Sequence, residues 1–150
     1  MQISPIKDAI ADAVRTGVTL PAGIGKLTCT GYVPDAVVAP CFFVGEVEVN
    51  YDQTMGRGTD ELLITCRVLA GRADDRSAQR ILDGMLSGAG AASLKAAFQT
   101  MRGAPGQLAL GGLADDIHLQ RVAGYRWYEH QGSSYVGAEL AVKVIGDGRT

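Results

Sequence analysis

Positive charge is nowhere concentrated in this chain. Its 14 Lys and Arg stand against 16 Asp and Glu, for a formal net charge of −2, and the basic residues form no run. Gripping a phosphate backbone calls for a basic stripe, so no dedicated nucleic-acid recognition is expected. Long apolar runs are missing too. The longest, around Val37–Val44, is broken by Pro40 and falls far short of the roughly 20 residues that span a bilayer. The opening MQISPIKDAI lacks the charged-then-apolar layout of a signal peptide, so synthesis into a cytoplasm with no membrane partner is expected. Cysteine is scarce: Cys29, Cys41 and Cys66 are widely spaced and form no CxxC or Cys/His pair at zinc-ligand separation. They are expected to be small buried or half-buried side chains, with no metal and no cofactor held.

What is present reads as one folded domain spanning 1–150. Hydrophobic residues make up 47% and charged residues 20%, enough apolar surface to build a core at this length without disulfides or a metal. Ser4-Pro5 predicts a helix start, and Ile6, Ala9, Ile10, Ala13 and Val14 then fall on one face until Gly17. Lys26–Tyr32 is strand-like. In Cys41–Asn50, Phe43, Gly45, Val47 and Val49 are expected to share one face, with Glu46, Glu48 and Asn50 turned to solvent or a partner. Glu61–Leu69 is apolar at both alternating sets and is predicted to be a central strand covered on both sides.

Asp74 and Asp75 are expected to open a second helix with the stripe Ala78, Ile81, Leu82 and Met85, ended by Ser87–Gly90. A third, over Ala92–Arg102, carries Leu94, Ala97, Phe98 and Met101. After a glycine-rich connection, Ile117–Tyr128 and Tyr135–Ile145 flank a turn in EHQGSS. Val136, Ala138, Leu140, Val142 and Val144 form the buried face, and a bulge or bend is expected near Gly124. The order predicts an α+β domain: an antiparallel or mixed sheet of four to five strands with two or three helices packed on it.

Chemistry is harder to find. In the loop YDQTMGRGTD (Tyr51–Asp60), Gly56-Arg57-Gly58 fits neither the P-loop nor the dinucleotide fingerprint and leads into a strand. Its Met55 and Arg57 are residue types enriched at protein interfaces. His118, beside Asp115 and Asp116, is expected to be a surface strand residue, and His130, near Ser133 and Ser134, a turn residue. Adjacent carboxylates on a helix or strand point apart, so Asp74/Asp75 and Asp115/Asp116 make no shared acid/base site. Tyr125, Trp127 and Tyr128 with Arg121 and Arg126 form the most functional-looking cluster, the mix found at the centres of interfaces, although Trp127 could equally serve the core.

The strings GRGTDELLITCRVLAGRADDRSAQRILDGMLSG, SLKAAF and YEHQGSSYVGAELAVKVIGDG resemble the tail terminators of long-tailed phages that infect actinobacteria. The resemblance runs in order from PDAVVAPCFFVGEVEVNYD to the last strand. It implies a non-enzymatic structural protein of the virion tail or neck, assembled in the host cytoplasm. In that role it is a homohexameric ring that caps the tail tube, stops its polymerisation and joins it to the head connector. The implied partners are copies of itself, the tail tube protein and a head-completion or connector protein, with DNA passing through the lumen. A ring needs head-to-tail contacts, and Tyr51, Asp52, Met55, Arg57, Arg121, Arg126 and Trp127 are the expected contact residues. Two alternatives stand beside this reading. A small ligand-binding or regulatory module would bring Trp127, Tyr125 and His118 to one pocket, and a small enzyme would give His118 or His130 a partner nucleophile or carboxylate.

Overall fold

A computed structural model describes residues 1–22, 24–51, 58–72 and 76–147. The elements run α1 (Ile3–Gly17), β1 (Thr28–Thr30), β2 (Cys41–Asn50), β3 (Thr59–Arg72), α2 (Arg76–Leu86), α3 (Leu94–Met101), a single 3-10 turn (Leu110–Gly112), β4 (Asp116–His130) and β5 (Ser133–Asp147). The five strands form one sheet in the order β1-β2-β3-β5-β4. β1 lies parallel to β2, and every other neighbouring pair is antiparallel. This is an α+β fold with a mixed sheet and three α-helices, as the pattern of the sequence predicts.

All three helices pack on one face of the sheet. Ile6, Ile10 and Val14 of α1, Ala78, Leu82 and Met85 of α2, and Leu94, Ala97, Phe98 and Met101 of α3 join Phe42, Val44, Leu62, Ile64, Cys66, Val68 and the alternating set Val136–Val144 in one core. Phe42 meets Phe98 with ring centroids 6.3 Å apart, tying the sheet to α3. Gly17 lets α1 approach α3 closely, because a Cβ there would come within 3.2 Å of the Ala97 Cβ.

Several local expectations are corrected. Ser4 does not cap α1. The helix begins two residues earlier, at Ile3 with Gln2 at the cap, which makes no side-chain bond, and Pro5 is tolerated because amides of the first turn have no intrahelical acceptor. Ser93 does cap: its Oγ accepts from the Ala96 amide at 3.2 Å and donates to the Ser87 carbonyl at 2.6 Å. The faces of β2 are not those of strict alternation. A bulge between Val44 and Val47 puts Phe42, Val44, Val47 and Val49 toward the helices and leaves Phe43 and Gly45 on the other side. β3 is central, but only its helix side is fully covered; Leu63, Thr65 and Arg67 on the far side are half-buried. The proposed capping by Asp74 and Asp75 lies outside the described residues.

The hairpin matches its sequence. Gln131 and Gly132 both take positive φ, 51° and 82°, which is what a two-residue hairpin turn of right-handed strand twist requires. The ladder slips between Ala123 and Arg126 around Gly124 at φ 65°, the expected bulge, and a second slip falls between Leu119 and Arg121.

Candidate functional site

The face of the sheet away from the helices is open and polar, apart from a small second cluster of Cys41, Phe43, Leu69 and Tyr128 with Val37 and Tyr135 packed against it. Over that cluster lies a stack of charges. The Arg67 guanidinium sits 4.4 Å from the centre of the Tyr128 ring and Arg126 4.9 Å from it. Both arginines reach one carboxylate oxygen, Glu139 Oε1, at 3.0 and 3.3 Å. The Tyr128 hydroxyl donates to the Gly124 carbonyl at 2.5 Å, closing the bulge in β4. Burial, with the Glu139 carboxylate second, pushes the Tyr128 phenol upward.

Next to this stack a hollow of about 380 Å³ is lined by Phe43, Glu46, Thr65, Arg67, His130 and Glu139. His130 Nε2 donates to the Pro34 carbonyl oxygen at 3.0 Å, so the ring pins the β1–β2 connection across the sheet. A larger hollow of about 540 Å³ has at its wall the bidentate pair Arg102–Asp116, at 3.0 and 2.9 Å. Among the described residues no group of His, Cys, Asp and Glu has metal-binding geometry, and no helix is long and apolar enough to cross a membrane. Cys29, Cys41 and Cys66 are free thiols and all buried.

β4 forms one lateral edge of the sheet along its 15 residues, with β5 on its inner side and no strand on its outer side among the described residues. The residues expected at contacts are divided over the molecule. Arg121 and Arg126 lie on the open face of β4, paired with Ala141 and Gly137. Trp127 pairs with core-facing Val136 and so sits on the helix side, yet it remains 68% exposed, which makes it a rim residue and not a core one. Val122 and Tyr125 are exposed with it, and the Tyr125 phenol is pushed upward by burial first and by its hydrogen bond to Asp83 second. Tyr51, 71% exposed, follows β2 and is separated from β4 by β3 and β5. Asp52, Met55 and Arg57 lie outside the described residues.

His118 is exposed and pairs with Lys143 on the open face, opposite to the side of Trp127, so these two do not converge on one pocket. The Arg67–Tyr128–Glu139 stack was not anticipated. Its signal is the pairing Arg67↔Glu139, which is visible only once β3 and β5 are known to be neighbours in that register. No protein-family model matches the chain, and comparison with curated proteins returns no match.

Proposed function

We propose that this chain is a tail-terminator subunit of a long-tailed phage. Copies close into a homohexameric ring that caps the tail tube, halts its growth and offers its other face to the head connector. The resemblance supplies the phage tail. The observation that carries self-assembly is the outer edge of β4, a 15-residue strand with Arg121 and Arg126 on one face and exposed Trp127 on the other. An edge of that length is a template for another chain, and aromatics with arginines are the residue types of interface centres.

The test is native mass over a range of concentrations, with negative-stain images of the same samples and with purified tail tubes added. Rings of six, alone or at tube ends, are the expected result. A protein that stays monomeric and ignores the tubes overturns the reading.

A further inference from the structure

The sheet has a second open edge, and it complements the first. β1 pairs with β2 only from Cys41 to Phe43. From Val44 to Asn50, β2 has no strand on that side among the described residues, and the exposed side chains there are Glu46 and Glu48. The short β1 edge beside it is closed differently, because Arg15 Nη2 donates to the Cys29 carbonyl at 2.6 Å. The upper half of β2 therefore presents two exposed carboxylates, and on the opposite edge β4 sets Arg121 on its open face, while its Asp116 is already paired with Arg102.

Direction and register also agree. β2 and β4 are separated by β3 and β5, all antiparallel in turn, so β4 runs opposite to β2. Two copies side by side in the same orientation would meet β4 against β2 as an antiparallel pair. Cross-strand rows give the height. His118, Lys143, Leu63 and Glu48 share one row, and Arg121, Ala141 and Thr65 share the row at the β2 bulge that contains Glu46. The row of Ala123, Glu139 and Arg67 ends on Phe43, the residue where Thr30 of β1 occupies the edge. β4 bulges just there, at Gly124, and bulges bend a strand and end its pairing. β4 up to Val122, whose own slip between Leu119 and Arg121 lies at the height of the β2 bulge, therefore spans the height over which β2 is open.

We propose that the partner of the β4 edge is a second copy of this chain: Asp116–Val122 pairs antiparallel with Val44–Asn50 of the next copy, setting Arg121 against Glu46 and His118 against Glu48. This rests on the ring reading and specifies its contact. The contact is head-to-tail, as a closed ring requires, and it joins the sheets of neighbouring copies. Pairing β4 with β4 would instead be an isologous contact, which closes a dimer and not a ring of six.

The experiment uses two single variants, Arg121→Glu and Glu46→Arg, at exposed positions. Each alone is expected to raise the concentration needed for assembly by about tenfold or more, since like charges then face each other. Mixed one to one, they restore assembly, because each contact in an alternating ring is again between opposite charges. Oxidation of the double variant His118→Cys with Glu48→Cys is expected to give a ladder of disulfide-linked oligomers. If the unchanged protein forms rings while Glu46→Arg assembles equally well and no ladder appears, the edge pairing is wrong and the ring stands. If the unchanged protein forms no ring, alone or on tubes, the ring reading falls and this contact with it. Should either variant fail to show the native circular dichroism spectrum, Arg121→Gln and Glu46→Gln take their place, each expected to weaken assembly through loss of the charge pair, and equal assembly of both with no ladder overturns the contact.

Discussion

Arg67 stacks on Tyr128 at 4.4 Å while its Nη2 bonds Glu139 at 3.0 Å, so a cation on the open face of the sheet is held at once by a ring and by a carboxylate. Arg67 Nε is buried and has no partner among the described residues, so the packing of Tyr128 and the pair with Glu139 must together offset its loss of water. Tyr128 also carries the bond to Gly124, which places one ring at the junction of β3, β4 and β5.

Replacing Tyr128 separates these roles. Tyr128→Phe keeps the ring and removes the bond to Gly124, and a cost of about 1 kcal/mol is expected. Tyr128→Ala removes the ring from the second cluster and from beneath both arginines, for about 3 to 5 kcal/mol. Urea unfolding followed by circular dichroism reads both. Equal losses in the two variants would mean that the ring contributes nothing beyond its hydroxyl.

Gly137 is fixed by closeness and not by φ. A Cβ at this position would collide with the Val68 carbonyl oxygen and come within 2.7 Å of Leu69 Cδ2. The carbonyl is backbone of the central strand, and the Leu69 methyl is buried in the second cluster, so neither can move aside freely. Gly137→Ala is expected to lower stability by about 1 to 3 kcal/mol through forced separation of β3 and β5. Gly84→Ala, where a Cβ meets nothing within 4 Å on helix α2, should be neutral or stabilising. Thermal melts of the two variants check the contrast.

The sequence was most legible where one periodicity runs unbroken. The stripes of α2 and α3 and the buried set Val136–Val144 appear as read, because each is a single face of a regular element. Gly124 was also readable, since a phase change in the apolar pattern has few explanations other than a bulge. The β2 bulge was not: Val44 and Val47 are both apolar, so the slip leaves no break in hydropathy. Trp127 hides differently. Its row faces the core at Val136, yet an edge position leaves it uncovered, and edge or centre is a property of strand order. The same holds for Arg67 and Glu139, which lie far apart in sequence, and for the two open edges that carry the proposed contact.

Asp116 offers a titration of known sign. Hydrogen bonds from Arg102 hold its carboxyl below the usual carboxylate range against the opposing effect of burial, and the Ile117 amide adds to them at 2.9 Å. A depressed folded-state value means that the pair contributes stability above the ordinary carboxylate pKa of about 3.9, and that this is lost as pH falls through the folded value. Arg102→Gln is expected to move the Asp116 midpoint upward, read by carbon NMR of the carboxyl. Wild type and variant should converge in stability in acid. An unchanged midpoint would show that the pair does not persist in solution.

The three thiols should react only when the domain opens. Burial pushes Cys29 and Cys41 up to about 11 despite the lowering influence of Arg15 on the first and of the Leu69 backbone on the second, and it pushes the fully enclosed Cys66 higher still. The thiolate is the reactive species, so a disulfide reagent at pH 8 meets almost none of it in the folded state. For a domain stable by about 5 kcal/mol, the open population is on the order of one in a thousand or fewer, and labelling should be slowed by about that factor. In denaturant all three should react at once. The sign with pH follows: a folded thiol that keeps its proton above the unfolded pKa makes stability fall as pH rises from about 9 toward 11. Cys66→Ala should flatten that fall while leaving the slope below pH 8 unchanged, and urea midpoints across the range measure it. Fast labelling of one thiol in the native protein would place that cysteine at the surface and overturn its position in the core.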